Sequence, residues 1–327
     1  MAAAALAAGA LVAFPTETVY GLGADAFNLS ALARIFEAKN RPRFDPLIIH
    51  IAEHEALSRI ADTSSLERAA RQRLSLLSQR LWPGPLTLIL PKRLELPPLA
   101  TAGLATAAVR FPSHPAAQKL IALSTGAVAA PSANPFGCLS PTRAEHVRDQ
   151  LGEKVDFIID GGRTTVGVES TVLDLSSDPP RILRPGGTSR ETIEALIGPV
   201  ELLGPAPTDN NARPLSPGQL KSHYAPRTPL VLCRRGEITS LPDAVRDEGR
   251  LYFSMSEESR ASLKKDTLDR TRVLSPTGDL AEAAANLFDM LHELDSLGLK
   301  LIRAEEAPPF GLGEAINDRL RRAASGP

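Results

Sequence analysis

Short apolar runs punctuated by turn residues dominate the first two thirds of the chain. Residues 10–14 are apolar, bounded by Gly9 and Pro15, and predict a buried strand. Runs of the same kind occupy 46–51, 86–90, 106–111, 127–130, 155–159, 172–175 and 181–184. Helical stretches alternate with them. Residues 2–8 are strong helix formers stopped by Gly9. Asn28 or Ser30 caps a helix that puts Leu32, Ile35 and Phe36 on one face. Residues 57–81 read as one or two helices, broken by Trp82-Pro83-Gly84-Pro85. Thr142 to Glu145 has the form of a capping box, and 188–191 caps a helix running to about Ile197.

After Gly198 the apolar pattern vanishes and prolines recur. Residues 199–228 therefore read as a linker between a first domain, 1–198, and a second, 229–327. Lys221, His223 and Tyr224 are grouped inside this linker, where a plain spacer has no need of them. The second domain has strand candidates at 229–233, 250–253, 272–274 and 299–304, and helices at 279–296 and 313–324. Leu280, Ala284, Leu287, Leu291 and Leu294 recur at helical spacing. Strand–helix alternation predicts a small α/β domain with a parallel sheet.

Polar residues gather where the apolar runs end. Residues 14–25 read as a loop after the first strand and carry Thr16, Glu17, Thr18 and Tyr20 between Pro15 and Gly21. Loops at the ends of core strands are where binding chemistry concentrates; a polar turn with helix caps is the plainer reading. Lys39, Arg41 and Arg43 follow a helix C-terminus, where cations are favoured by the dipole. Pinned between that helix and a core strand, they equally suit phosphate. Arg110 lies inside an apolar strand and needs a partner, either a neighbouring acid or a substrate carboxylate. Ser132 and Asn134, stiffened by Pro131 and Pro135, can aim two side chains at one ligand or form an ordinary turn. Glu169, Ser170 and Thr171 again abut an apolar run. His50, Glu53 and His54 match a zinc pattern that needs one helix, yet His50 closes a β-like run, so the pattern is rejected. No GxxxxGK[ST], GxGxxG or GxSxG occurs, so a bound nucleotide would be held by scattered cations and hydroxyls.

Composition narrows the class. The 327 residues are 43% hydrophobic, ample for one large core and a smaller one. A formal charge of −1 excludes a polyanion-coating protein and leaves any nucleic-acid contact to a local patch. Cys138 and Cys233 are far apart, which implies neither a disulfide framework nor a zinc site and suits a reducing cytoplasm. The alanine-rich N-terminus lacks the basic flank of a signal peptide and runs straight into the first strand. No segment predicts a membrane span.

Taken together, FPTETVYGLGADA, KNRP, PLIIHI, WPGPLTLIL, VRFP, APSAN, ESTVLDL and ILRPGG stand in the order of a known family. With PGQLKSHYAP and GLGEAINDRLRRAA, the chain resembles the YrdC-like threonylcarbamoyl-AMP synthases in their longer two-domain form. The resemblance implies an α/β fold: a YrdC-like twisted open mixed sheet with flanking helices, plus a small Rossmann-like parallel α/β domain. It implies that L-threonine, bicarbonate and ATP, with Mg2+, become threonylcarbamoyl-AMP and pyrophosphate. A partner transferase would then pass the group to tRNA. Carried over by motif, Lys39 and Arg41 face the triphosphate, with Ser132, Asn134, Thr106, Ser140 and Arg184 on the nucleotide side. Thr18, His50, Arg110, the Ala130 backbone and Ser170 form the threonine pocket, and His223 and Tyr224 close the site against water. No protein-held metal site is implied. The chain departs from the family at Asp45, where Asn is usual, an acid that would repel ATP or help hold magnesium. It also departs at Phe136-Gly137-Cys138 and at Gln219, and its N-terminal helix is short. A different class, a non-catalytic RNA-binding module using Lys39, Arg41 and Arg43, is the competing expectation, and a weak RNA contact is compatible with either.

Overall fold

The computed structural model describes residues 1–203, 216, 223–240 and 247–326. The first part of the chain contains α1 (Ala2–Ala7), β1 (Val12–Phe14), β2 (Gly21–Asp25), α2 (Leu29–Lys39), β3 (Ile48–Ile51), α3 (Leu57–Ile60) and α4 (Arg68–Leu81). It continues through β4 (Leu86–Pro91), β5 (Thr106–Arg110), α5 (Pro115–Leu123), β6 (Ala127–Ala129), α6 (Ala144–Leu151), β7 (Phe157–Ile158), β8 (Thr171–Asp174), β9 (Arg181–Arg184), α7 (Arg190–Ile197) and β10 (Glu201–Leu202). The remainder is β11 (Leu230–Cys233), α8 (Glu237–Ser240), β12 (Glu248–Tyr252), α9 (Glu257–Ala261), α10 (Lys265–Leu268), β13 (Thr271–Val273), α11 (Leu280–Asp295), β14 (Leu301–Glu305) and α12 (Leu312–Ala324).

Ten strands form one mixed sheet in the order β10, β9, β8, β4, β5, β3, β6, β2, β1, β7. Four strands form a second sheet, β11, β14, β12, β13, whose pairs are all parallel, as the alternation predicts. The strands pair because their apolar side chains leave water on both faces; Val12, Ile49, Leu88, Val109 and Val128 are fully buried. Asn28 caps α2 through its side chain, so Leu32, Ile35 and Phe36 face the core as expected.

Three local expectations change. The loop predicted through Asp25 ends earlier, because residues 21–23 pair antiparallel with β1 and residues 24–25 with β6. A Cβ on Gly23 would lie 2.7 Å from the Phe14 ring and 2.9 Å from Val128, so this glycine allows close strand packing instead of a turn. The capping box at Thr142 does not form: Arg143 is the N-cap of α6, and the Thr142 amide donates to His146 Nδ1 at 3.3 Å. Glu201 and Leu202, inside the stretch read as linker, add an edge strand parallel to β9. Residues 209–211 and 217–222, with Gln219 and Lys221, lie outside the described residues.

The two sheets meet through α11. Its Asp289, buried, takes Arg143 at 2.6 Å and Arg163 at 3.4 Å, and His146 stacks on His292 with ring centroids 3.9 Å apart. Burial, then the neighbouring His292, pushes His146 down to about 3. The unfolded chain takes up a proton near pH 6.5 where the folded one does not, so stability falls as pH drops from about 6.5 toward 3. Each such histidine contributes up to ~1.4 kcal/mol per pH unit in that window. Urea midpoints are expected to drop between pH 7.5 and 5, and His146→Gln to flatten the drop. An unchanged slope in that variant would show that His146 does not carry it.

Candidate active site

Strand register builds the floor of the site. β3 pairs with β5 so that His50 lies opposite Arg110, and β5 pairs with β4 so that Arg110 lies opposite Thr87. Cross-strand partners share a face, so the three side chains form one row. His50 Nδ1 is 3.2 Å from the Ile48 carbonyl, and its ring meets Phe14 edge-on at 6.3 Å. Burial, reinforced by Arg110, pushes the imidazole down to about 3, so it is neutral at physiological pH. Arg110 reaches Glu17 at 2.8 Å and donates to Thr18 Oγ1 at 2.9 Å. Its partner is thus an acid of the opening loop. That loop is tightened further by Thr16, whose hydroxyl donates to the Val19 carbonyl at 2.6 Å.

Ser170 joins this row from the start of β8. Its hydroxyl lies 2.7 Å from Thr87 Oγ1, and Arg184 donates to its carbonyl at 2.9 Å. Gly186 makes the contact possible: a Cβ there would sit 2.3 Å from the Glu169 carbonyl oxygen and 2.4 Å from the Thr171 nitrogen.

The cations beyond α2 are not a solvated tail. Lys39 is fully buried and its ammonium donates to the Ser132 and Asn134 carbonyls. Burial and then Arg41 hold its pKa well below the ordinary lysine value. Arg41, also buried, donates to the Pro46 carbonyl at 2.8 Å and pairs with Asp45 at 2.9 Å. Burial pushes the Asp45 carboxyl up, against the pull of Arg41 and Lys39. Only Arg43 of the three cations is exposed. Asn134 turns its amide onto the Pro135 and Cys138 carbonyls at 3.0 and 2.8 Å, so the side chain holds its own loop. His223 packs on Phe136 at 5.5 Å and on Tyr224 at 4.1 Å.

Thr18, His50, Arg110, Ala130 and Ser170 line one cavity together with Arg41, Ser132, Arg184, His223 and Tyr224. Its free volume is about 50 Å³, room for a water or two. Lys39, Asp45, Asn134 and Ser140 stand behind this wall, each touching or adjoining a residue in it. Thr106 is the exception: it opens β5 opposite Pro91, four residues or about 13 Å from Arg110. It stands at the other end of the strand and is not among the residues that line the cavity. Among the described residues no group of three His, Cys, Asp or Glu side chains could hold a metal ion. His54, of the rejected zinc pattern, is exposed in a turn and packs on Phe111 at 5.5 Å.

Two polar lining side chains were not assigned from sequence, Thr16 and Glu169. Both sit in polar clusters beside apolar runs, the signal that marked their neighbours. A family model described as "Telomere recombination" matches residues 4–186, and one described as "Threonylcarbamoyl-AMP synthase, C-terminal domain" matches 188–325. The threonylcarbamoyl-AMP synthase of Bacillus subtilis is 44% identical over 99% of this chain and 92% of its own. This chain belongs to the threonylcarbamoyl-AMP synthase family. The Pyrococcus abyssi synthase is 42% identical, over 99% of this chain and 93% of the relative. The crystal structure of P. abyssi Sua5 complexed with L-threonine superposes with a TM-score of 0.87 at 41% identity, covering 98% of this chain and 92% of that one. Family membership accounts for the mixed sheet with a second, parallel one. No helix among the described residues is long and apolar enough to cross a membrane.

Proposed function

We propose that this chain joins L-threonine, bicarbonate and ATP into L-threonylcarbamoyl-AMP and releases pyrophosphate, the first step toward threonylcarbamoyladenosine at tRNA position 37. The observation that carries the reading is one cavity with two chemistries. Neutral His50 and the Arg110–Thr18 pair line it, and so do the guanidinium groups of Arg41 and Arg184. The first suits a small amino acid and the second a polyphosphate. The L-threonine complex of the P. abyssi relative supports the first assignment.

In this reading the threonine carboxylate pairs with Arg110, while Thr18, His50, the Ala130 carbonyl and Ser170 orient its hydroxyl and amine. The amine loses a proton and adds to CO2 released from bicarbonate. A carbamate oxygen then attacks the α-phosphorus, and the bond to the β-phosphate oxygen breaks. Such a step needs alignment and neutralised charge more than a protein nucleophile. Mg2+ would arrive with ATP, held by phosphates and water, which suits a site whose Asp45 is committed to Arg41. His223 and Tyr224 line the cavity and close its wall against water. The product passes to a transferase acting on tRNA, in the cytoplasm. The RNA-binding alternative keeps one of its three cations at the surface, Arg43, since Lys39 and Arg41 are buried out of reach of an RNA phosphate backbone.

Pyrophosphate release from ATP, magnesium and bicarbonate, with and without L-threonine, tests the reading. Threonine-dependent release is expected. Release without threonine would change the substrate. Salt-sensitive tRNA binding without turnover would favour the RNA module. Asp45→Asn removes the carboxylate that competes with phosphate for Arg41. It is expected to tighten ATP binding several-fold and to lower the melting temperature measured without ATP. Weaker ATP binding would instead make Asp45 part of the nucleotide hold.

A further inference from the structure

Arg319 sits in α12, 150 residues beyond Glu169, yet its guanidinium is wholly buried against the cavity wall. Its Nε donates to Glu169 Oε2 at 2.7 Å, and its second nitrogen donates to the Pro185 carbonyl at 2.9 Å and to Asp318 at 2.7 Å. The same group lies over the Tyr224 ring, 5.1 Å from its centre. Ser140 donates to the other Glu169 oxygen. Glu169 is the one carboxylate among the described residues that line the cavity. Burial would raise its pKa, but Arg319 and Arg184 outweigh burial and hold it below the usual range. Both of its oxygens are therefore occupied and the charge is permanent at physiological pH.

A fixed negative charge in that wall opposes the polyphosphate that the proposed function puts there. We propose that Arg319 is a positioning residue that neutralises Glu169, so that the C-terminal sheet and its helices are needed for nucleotide binding. The inference rests on the nucleotide assignment made above. It gives α12 a role in the site that a mere docking helix would not have. Without Arg319, Glu169 keeps Ser140 and the nearby Arg184 but loses its hydrogen-bonded counter-charge, and the added repulsion acts on the polyanionic ATP far more than on threonine, whose net charge is zero.

Equilibrium titration of the full chain with a nonhydrolysable ATP analogue, and separately with L-threonine, tests this. Arg319→Gln is expected to weaken the analogue at least ~30-fold and threonine by less than threefold, the asymmetry that separates charge neutralisation from general damage. Adding Glu169→Gln to that variant removes the charge needing neutralisation and is expected to recover most of the analogue's affinity. Arg319→Lys, which keeps the charge, covers the case of a single variant that does not fold and is expected to stay within fivefold of the parent. A double variant as weak as the single, equal losses for both ligands, or a 30-fold loss with lysine would each overturn the proposal. These titrations need no turnover. Absent pyrophosphate release with normal analogue binding would therefore count against the proposed reaction and not against the role of Arg319.

Discussion

Arg41→Met is expected to cut threonine-dependent pyrophosphate release by at least ~100-fold, the range seen when one preorganised donor to developing charge is removed. Arg41 is the buried cation of the cavity wall next to Phe136, with its guanidinium 6.0 Å from that ring. Two of its contacts are backbone carbonyls of residues 45 and 46, and the third is the Asp45 carboxylate. The fork is therefore aimed before substrate arrives, and little ordering remains to be done on binding. Removing it alone also strands Asp45 as a buried anion, which costs about 3–5 kcal/mol of stability. Activity and folding must be separated. Arg41→Met combined with Asp45→Asn leaves no unpaired charge, so its melting temperature should recover while its activity does not. Recovery of activity in the double variant would mean that Arg41 serves only to hold Asp45. The assay is the pyrophosphate release already described, at subsaturating ATP.

How much of this was legible beforehand differs by element. The strands at Ile48–Ile51, Leu86–Pro91 and Thr106–Arg110 were readable because each is a short apolar run between breakers. The parallel second sheet followed from strand–helix alternation. Gly21 and Gly23 misled, because a glycine that breaks a strand and one that lets two strands close on Phe14 look alike in one dimension. The same limit applies to cations. Lys39 and Arg43 are four residues apart in one basic stretch, yet one is wholly buried and the other exposed. Only the carbonyls of Ser132 and Asn134, brought over by β6, decide which. Arg319 was illegible for the same reason: it lies in a basic-ended helix, and its partner is 150 residues away. One separation the strand does fix: Thr106, which the resemblance puts on the nucleotide side, lies at the opposite end of β5 from Arg110, which it puts on the threonine side.

The amino-acid end of the cavity carries the second large effect. Arg110→Met is expected to raise the threonine requirement by roughly 100-fold, as for loss of a charge-assisted pair worth about 1.5–3 kcal/mol. The ATP requirement should stay within threefold. A guanidinium has five N–H donors. Here contacts to Glu17, Thr18 Oγ1 and the Gly84 carbonyl fix its plane without exhausting them. The row of His50, Arg110 and Thr87 supplies the same fixity from below, since β3 and β4 flank β5. A carboxylate arriving there meets a preset fork beside an uncharged imidazole, and no buried cation has to reorganise. The competing account is that Arg110 exists to compensate Glu17, itself buried. Pairing Arg110→Met with Glu17→Gln decides between them. If Arg110 binds the substrate, the double variant folds as stably as the parent and still needs about 100-fold more threonine. If Arg110 only compensates Glu17, threonine affinity returns once the acid is gone. A shift in the ATP requirement larger than the shift for threonine would place Arg110 on the nucleotide side, and the two-chemistry reading of the cavity would have to be reversed.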